Sequence, residues 1–328
     1  MTNVLESPQQ QTNSLSTLML LCLLLLGVLT LSIAAILIRF SEQYIGPNAT
    51  VFNRFWISTV IFGVWRGGNA IASRSSRDSP TPNNTYATSD ILLLGLAATV
   101  TSISHISWAW SLTKTNIADA NLLHNLTPIF ATFGGWLLLG HNFDKRFIIG
   151  MLLTLGGALS IGIQDFQVAT DQLIGDGLAL FSAVFYAANI LVMEKMRDKF
   201  SATSILFWSG FLKVFLTFPV ALFTEEQIFP TSLEGWIPVF CLAFLCQVIG
   251  STILGYSLKQ FSSGFISLFL LLEPIITTTL AWVIFAEHLS VFKLLAFVVV
   301  LFGIYTAKSG RGAEKEDPKI VAENMAIE

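Results

Sequence analysis

Four charged side chains, Arg54, Asp119, Lys213 and Glu273, stand inside otherwise apolar stretches of this sequence. Charges there can pair with one another, hold a charged solute, or take up and release a proton. Polar residues recur around them at helical spacing. Thr101, Ser104, His105, Trp108 and Ser111 follow i, i+3, i+4, i+7, i+10, which puts them on one helix face. Asn121, His124, Asn125 and Pro128 share a second face, and Ser182, Tyr186, Asn189 and Met193 a third. Gln247, Gly250, Ser251, Leu254 and Ser257 make a fourth. Small hydroxyl faces also serve close helix packing, and that is the first reading for Ser104, Ser111, Ser251 and Ser257. His105, His124, Asn121 and Asn125 are too large to satisfy one another in a dry bundle, so they argue for a wet cavity. Trp56, Trp108, Trp110, Tyr186 and Trp208 could add a stacking surface for a planar solute.

Other chemistries find no support. His105 and His124 lack a carboxylate or thiolate at ligand spacing, so no metal is expected. Cys22, Cys241 and Cys246 sit singly in apolar runs, as small hydrophobes do. The chain shows no HisGluXXHis, no Ser/His/Asp cluster and no GlyXXXXGlyLys phosphate loop, so no cofactor and no nucleotide-driven pump is read from it. Nothing in it points to nucleic acid.

The elements that must position these groups are membrane helices. Hydrophobic residues make up 53% of the chain and charged ones 12%, against about 25% charged in a soluble domain; mean hydropathy is +0.68. Apolar runs long enough to cross about 30 Å of hydrocarbon fall at 17–39, 49–67, 91–112, 117–139, 147–164, 174–193, 202–223, 235–257, 263–285 and 290–307. The expected fold is an all-α integral membrane protein with ten transmembrane helices.

The chain also repeats itself. Under a shift of 146 residues Ser111 meets Ser257, Pro128 meets Pro274, Trp136 meets Trp282 and Gly157 meets Gly303. Five helices per half, an odd number, make the second copy enter the membrane from the opposite side, a five-plus-five inverted repeat. The divisions expected are a cytoplasmic tail 1–16, a first repeat 17–164, a periplasmic linker 165–173, a second repeat 174–307 and a cytoplasmic tail 308–328. With both ends in the cytoplasm, thirteen Lys and Arg residues lie inside and three outside (Arg39, Lys114 and Lys293), as the positive-inside rule requires. Depth along the spans pairs Arg54 with Asp119 and Lys213 with Glu273. These are either static ion pairs or gating and coupling groups, and protons are one candidate coupling ion. Pro128 and Pro274 would kink their helices at matching depth.

The segment Glu273-Pro-Ile-Ile-Thr-Thr-Thr-Leu-Ala-Trp-Val-Ile-Phe-Ala-Glu-His-Leu289, with the duplication around it, resembles the EamA family of the drug/metabolite transporter superfamily over about residues 17–308. The first copy departs from that pattern, with Gly140-His141-Asn142-Phe143 where the family usually has Gly-Glu. The resemblance implies a cavity lined by spans 1, 3, 4, 6, 8 and 9, with spans 5 and 10 peripheral. It also implies export or exchange of amino acids, nucleosides, sugar nucleotides or other metabolites.

The function expected is therefore secondary transport of a small organic metabolite across the cell inner (plasma) membrane by alternating access, not catalysis. The substrate residues would be Thr101, His105, Trp108, Asn121, His124, Asn125, Tyr186, Asn189, Gln247 and Ser251. An integral membrane enzyme acting on a lipid or small molecule, or a regulatory membrane protein without transport, are the alternatives.

Overall fold

The computed structural model describes residues 8–75, 87–115, 117–162, 172–285 and 291–315. Helices α1 (Pro8–Ser32) and α2 (Ala34–Ser41) make one span with a break at Ile33; α3 (Pro47–Ser75) and α4 (Thr88–Lys114) follow. Next come α5 (Ile117–His124), α6 (Thr127–Leu139), α7 (Lys145–Gly162), α8 (Leu173–Arg197) and α9 (Ala202–Thr224). Then α10 (Leu233–Cys241) runs through a π-helical segment (Leu242–Gly250) into α11 (Ser251–Ser257). The chain closes with α12 (Ser263–Phe269), a 3-10 turn (Leu270–Leu272), α13 (Glu273–Phe285) and α14 (Val291–Lys308). Among the described residues the only β pairing is an isolated bridge between Phe261 and Glu314.

Among the described residues, eight stretches are long and apolar enough to cross a membrane: Thr17–Ser41, Thr88–Lys114, Asp119–Leu139, Leu173–Arg197, Ala202–Thr224, Leu233–Ser257, Ser263–Leu280 and Val291–Lys308. Helices α3 and α7, also expected as spans, fall outside this set. The first carries Asn48, Asn53 and Arg54 in its opening turns, and the second is described only as far as Gly162. The polarity of the fold suits lipid. Phe223, Ile174 and Tyr305 are exposed, whereas Thr101, Ser104, Ser182 and Lys213 are buried. Backbone and side-chain polar groups must find partners inside where hydrocarbon supplies none.

Both matched prolines sit at breaks. Proline lacks an N–H and its ring clashes with the carbonyl four residues earlier. Before Pro128 the helix stops at His124 and restarts at Thr127, whose hydroxyl donates to the His124 carbonyl at 2.6 Å. Before Pro274 the chain tightens into the 3-10 turn, and the Glu273 amide bonds to the Leu270 carbonyl. Helices α7 and α14 lie side by side because glycine lets their backbones meet. A Cβ on Gly303 would stand 2.6 Å from the Thr154 nitrogen, and one on Gly150 would stand 2.6 Å from the Gly303 carbonyl.

The two ends of the bundle are tied differently. At the end holding the α2–α3 turn, the Asn48 amide donates to Glu225 Oε1 at 2.8 Å and Trp110 Nε1 donates to Asn48 Oδ1 at 3.0 Å. Glu42 sits there, just beyond the first apolar span. Burial pushes its carboxyl up to about 7; Arg39 pulls it down and Glu225 pushes it further up. A carboxyl raised above its ordinary 4.5 binds a proton that the unfolded chain lacks. Its contribution is whole below that value and fades as pH rises through about 7. Glu42→Gln should therefore raise the melting temperature at about pH 8 and leave it unchanged near pH 4.5. Superimposable melting profiles for the two proteins across that range would refute the assignment.

Candidate functional site

A cavity of about 100 Å³ lies in the middle of the bundle. On the α4 face Thr101, Ser104, His105 and Trp108 line it, and from the α5–α6 break so do His124, Asn125, Thr127 and Pro128. Tyr186 and Asn189 reach it from α8, Gln247 and Ser251 from the α10–α11 span, and Ser267 and Glu273 from the last broken span. Arg54 and Lys213 complete the wall from α3 and α9. Those two helices were absent from the lining set implied by the resemblance, yet they bring two buried basic side chains to the cavity.

Side-chain bonds hold the wall. Thr101 Oγ1 stands 2.6 Å from Asn189 Oδ1, and Ser104 Oγ donates to the Ser182 carbonyl at 3.0 Å. His105 Nδ1 lies 2.9 Å from the Thr101 carbonyl, which can only accept, so Nδ1 carries the proton. Ser182 Oγ donates its own hydrogen to the Ala179 carbonyl at 2.8 Å. It must therefore accept from His124 Nδ1, also at 2.8 Å. In its neutral form each imidazole then keeps Nε2 as an acceptor. Ser182 sets the orientation of His124 without lining the cavity itself. The aromatic surface is smaller than the tryptophan count suggested. Trp108, His124 and Tyr186 stand in series with ring centroids 5.5 and 5.2 Å apart. Trp56 and Trp110 are bonded to Asn53 and Asn48 instead, and Trp208 is part-exposed on α9.

Three expected residues are not in the wall. Asn121 lies one turn before His124 on α5, Asp119 is fully buried near the start of that helix, and Pro274 follows the lining residue Glu273 without lining the cavity itself. The depth-based pairs do not form: among the described residues no ion pair joins Arg54 to Asp119 or Lys213 to Glu273. Equal depth says nothing of rotation about the helix axis. Arg54 Nε instead donates to Gln247 Oε1 at 3.0 Å, and the Lys213 ammonium lies 5.0 Å from the Phe55 ring centre.

Below the cavity, at the end where α14 finishes, a second polar cluster closes the bundle. Glu194, 1% exposed, places Oε1 3.2 Å from His141 Nε2 and 3.4 Å from Lys315 Nζ. Its Oε2 accepts from the Ser263 amide at 2.8 Å. Lys315 also reaches Asp198 at 2.9 Å, and its backbone amide donates to the Gln260 carbonyl. His141 belongs to the turn that departs from the family pattern, and its imidazole there meets a carboxylate from α8. Sequence reading passed over Glu194 because it stands in a run of end-of-helix charges, where a solvated position is the ordinary outcome.

The EamA-like transporter family model matches residues 18–163 and again 173–307. The chain belongs to that family. Each match carries one half of the cavity wall. An S-adenosylmethionine uptake transporter of Rickettsia prowazekii is 24% identical over 309 residues, covering 90% of this chain and 96% of that protein. An uncharacterized transporter of Archaeoglobus fulgidus is 24% identical over 191 residues, and the match spans 60% of its length. A crystal structure with 17% identity superimposes with a TM-score of 0.69 over 87% of this chain and 95% of the other, which shows the shared fold. This EamA protein is a multi-pass membrane transporter.

Proposed function

We propose that this transporter moves a small organic metabolite through the central cavity by alternating access. The observation that carries this reading is the place of the cavity: its polar wall is drawn from both family-matching segments, where relative motion of two halves would expose it to each side in turn. Its size agrees. Ligand pockets for organic molecules run to about 300–1,000 Å³, so a cavity of about 100 Å³ must widen to admit one. The broken helices at Pro128 and Pro274 offer places for that movement. We assign ten spans in two five-helix repeats of opposite orientation, 17–164 and 174–307, joined by the linker 165–173. The protein would sit in the plasma membrane with both tails in the cytoplasm. S-adenosylmethionine, the solute named for the Rickettsia relative, belongs in the first panel of solutes, beside amino acids and other metabolites.

Purified protein in liposomes loaded with unlabelled solute should accumulate the same labelled solute by counterflow for at least one member of the panel. Vesicles that exchange nothing beyond protein-free controls would defeat the transport reading. For orientation, single cysteines at Ser309 and Gln172, in a background lacking the three native ones, should react with an impermeant thiol reagent from opposite faces of the membrane. Reaction of both from one face would overturn the threading.

A further inference from the structure

We propose that Arg54 and Lys213 together form a receptor for a carboxylate group of the transported solute, so that the cavity selects organic anions and zwitterions over neutral and cationic metabolites. This deepens the transport reading and rests on it. Both side chains line the cavity, and they are 4% and 3% exposed. They stand on α3 and α9, which pack along each other, and both open onto the same cavity. Two like charges inside a membrane bundle are strongly unfavourable unless a counter-charge joins them.

Helix-locking charges would be met by carboxylates, and here they are not. Among the described residues neither cation makes an ion pair. Arg54 spends Nε on the neutral Gln247 carboxamide, and its terminal NH₂ groups make no hydrogen bond among the described residues. Such a pair of groups fits the two oxygens of a carboxylate. Lys213 has the Phe55 ring beneath its ammonium, which softens its burial without neutralising it. A third donor adds to these: Trp108 Nε1 is buried without an acceptor, and Trp108 lines the same cavity. These donors, in a space that also holds the His105 and His124 Nε2 acceptors, call for a ligand that brings acceptors to them. Glu273 is the one acidic residue on the cavity wall among the described residues, so two basic side chains face a single carboxyl group. That imbalance matches a monoanionic carboxylate better than a phosphate carrying nearly two charges.

Binding can be read apart from transport. Full-length protein in detergent, followed by tryptophan fluorescence and thermal shift, would be titrated with the common amino acids, propionate, butyrate and succinate. Alaninamide and propylamine serve as counterparts without a carboxylate. Carboxylates should bind and the amide and amine should not. Arg54→Gln and Lys213→Gln should each weaken binding about tenfold or more, with Lys213→Arg losing less. If a glutamine variant fails to give a monodisperse protein, Trp108→Phe supplies the test, with a smaller weakening expected. Binding of amino acids alone would add recognition of the ammonium by Glu273, and binding of simple carboxylates as well would show that the carboxylate suffices; either supports the receptor. Equal binding of alaninamide, folded variants that bind as wild type does, or no carboxylate binding anywhere in the panel would each overturn it. Carboxylate binding without counterflow would uphold the receptor and sink the transport reading. Counterflow of a neutral or cationic metabolite, without carboxylate binding, would do the reverse.

Discussion

Glu194→Ala is expected to loosen the closed end of the bundle and expose the cavity from that side. The carboxylate joins four separate parts of the chain: α8 that bears it, the His141 turn, the start of α12 at Ser263, and the final segment at Lys315. Truncation leaves the Ser263 amide and the His141 ring without their acceptor in a buried place. Breaking a buried charged cluster by removing one partner costs about 3–5 kcal/mol. Set against closure of this end, that loss is large. A cysteine at Ser267, which lines the cavity and is 1% exposed, should react with a small thiol reagent at least about tenfold faster in the Glu194→Ala background. Glu194→Gln, which keeps an acceptor for Ser263, should have an intermediate effect. An unchanged reaction rate in the alanine variant, with folding intact, would show that the cluster only braces the helix ends.

Glu273→Gln should separate exchange from accumulation. Glu273 lines the cavity at the first residue of α13, directly before Pro274 and after the 3-10 turn. Charging or neutralising this carboxyl alters the electrostatics of the cavity at the point where the helix is discontinuous. A proton taken up there from one side and released to the other would couple solute movement to the pH gradient. One proton per solute across two pH units sets a ceiling of about hundredfold accumulation, since each unit is worth about 1.4 kcal/mol. The glutamine variant should retain counterflow and show no accumulation driven by pH. Accumulation equal to wild type in that variant would remove the proton role from this residue, whatever the fate of the transport reading.

Much of the molecule was legible before any coordinates. Hydropathy located the eight stretches now seen to be long and apolar enough to span, because the demand for uninterrupted apolar surface is written residue by residue. The duplication was read through Pro128 and Pro274, and the family model matches two segments of the chain, 18–163 and 173–307. Helical spacing also grouped Thr101, His105 and Trp108 on one face and Tyr186 with Asn189 on another, and all five line one cavity.

What the sequence determined by itself, then, is which residues share a face, since 3.6 residues per turn places them without reference to any neighbour. What only the tertiary structure decided is which faces meet. Depth suggested that Arg54 would find Asp119 and Lys213 would find Glu273, but the rotation of α3 turns Arg54 to Gln247, 193 residues away in the chain. It likewise took the packed bundle to bring His141, Glu194, Ser263 and Lys315 into one cluster. Azimuth and tilt are set by how side chains of distant segments interlock, and that information resides in no single helix.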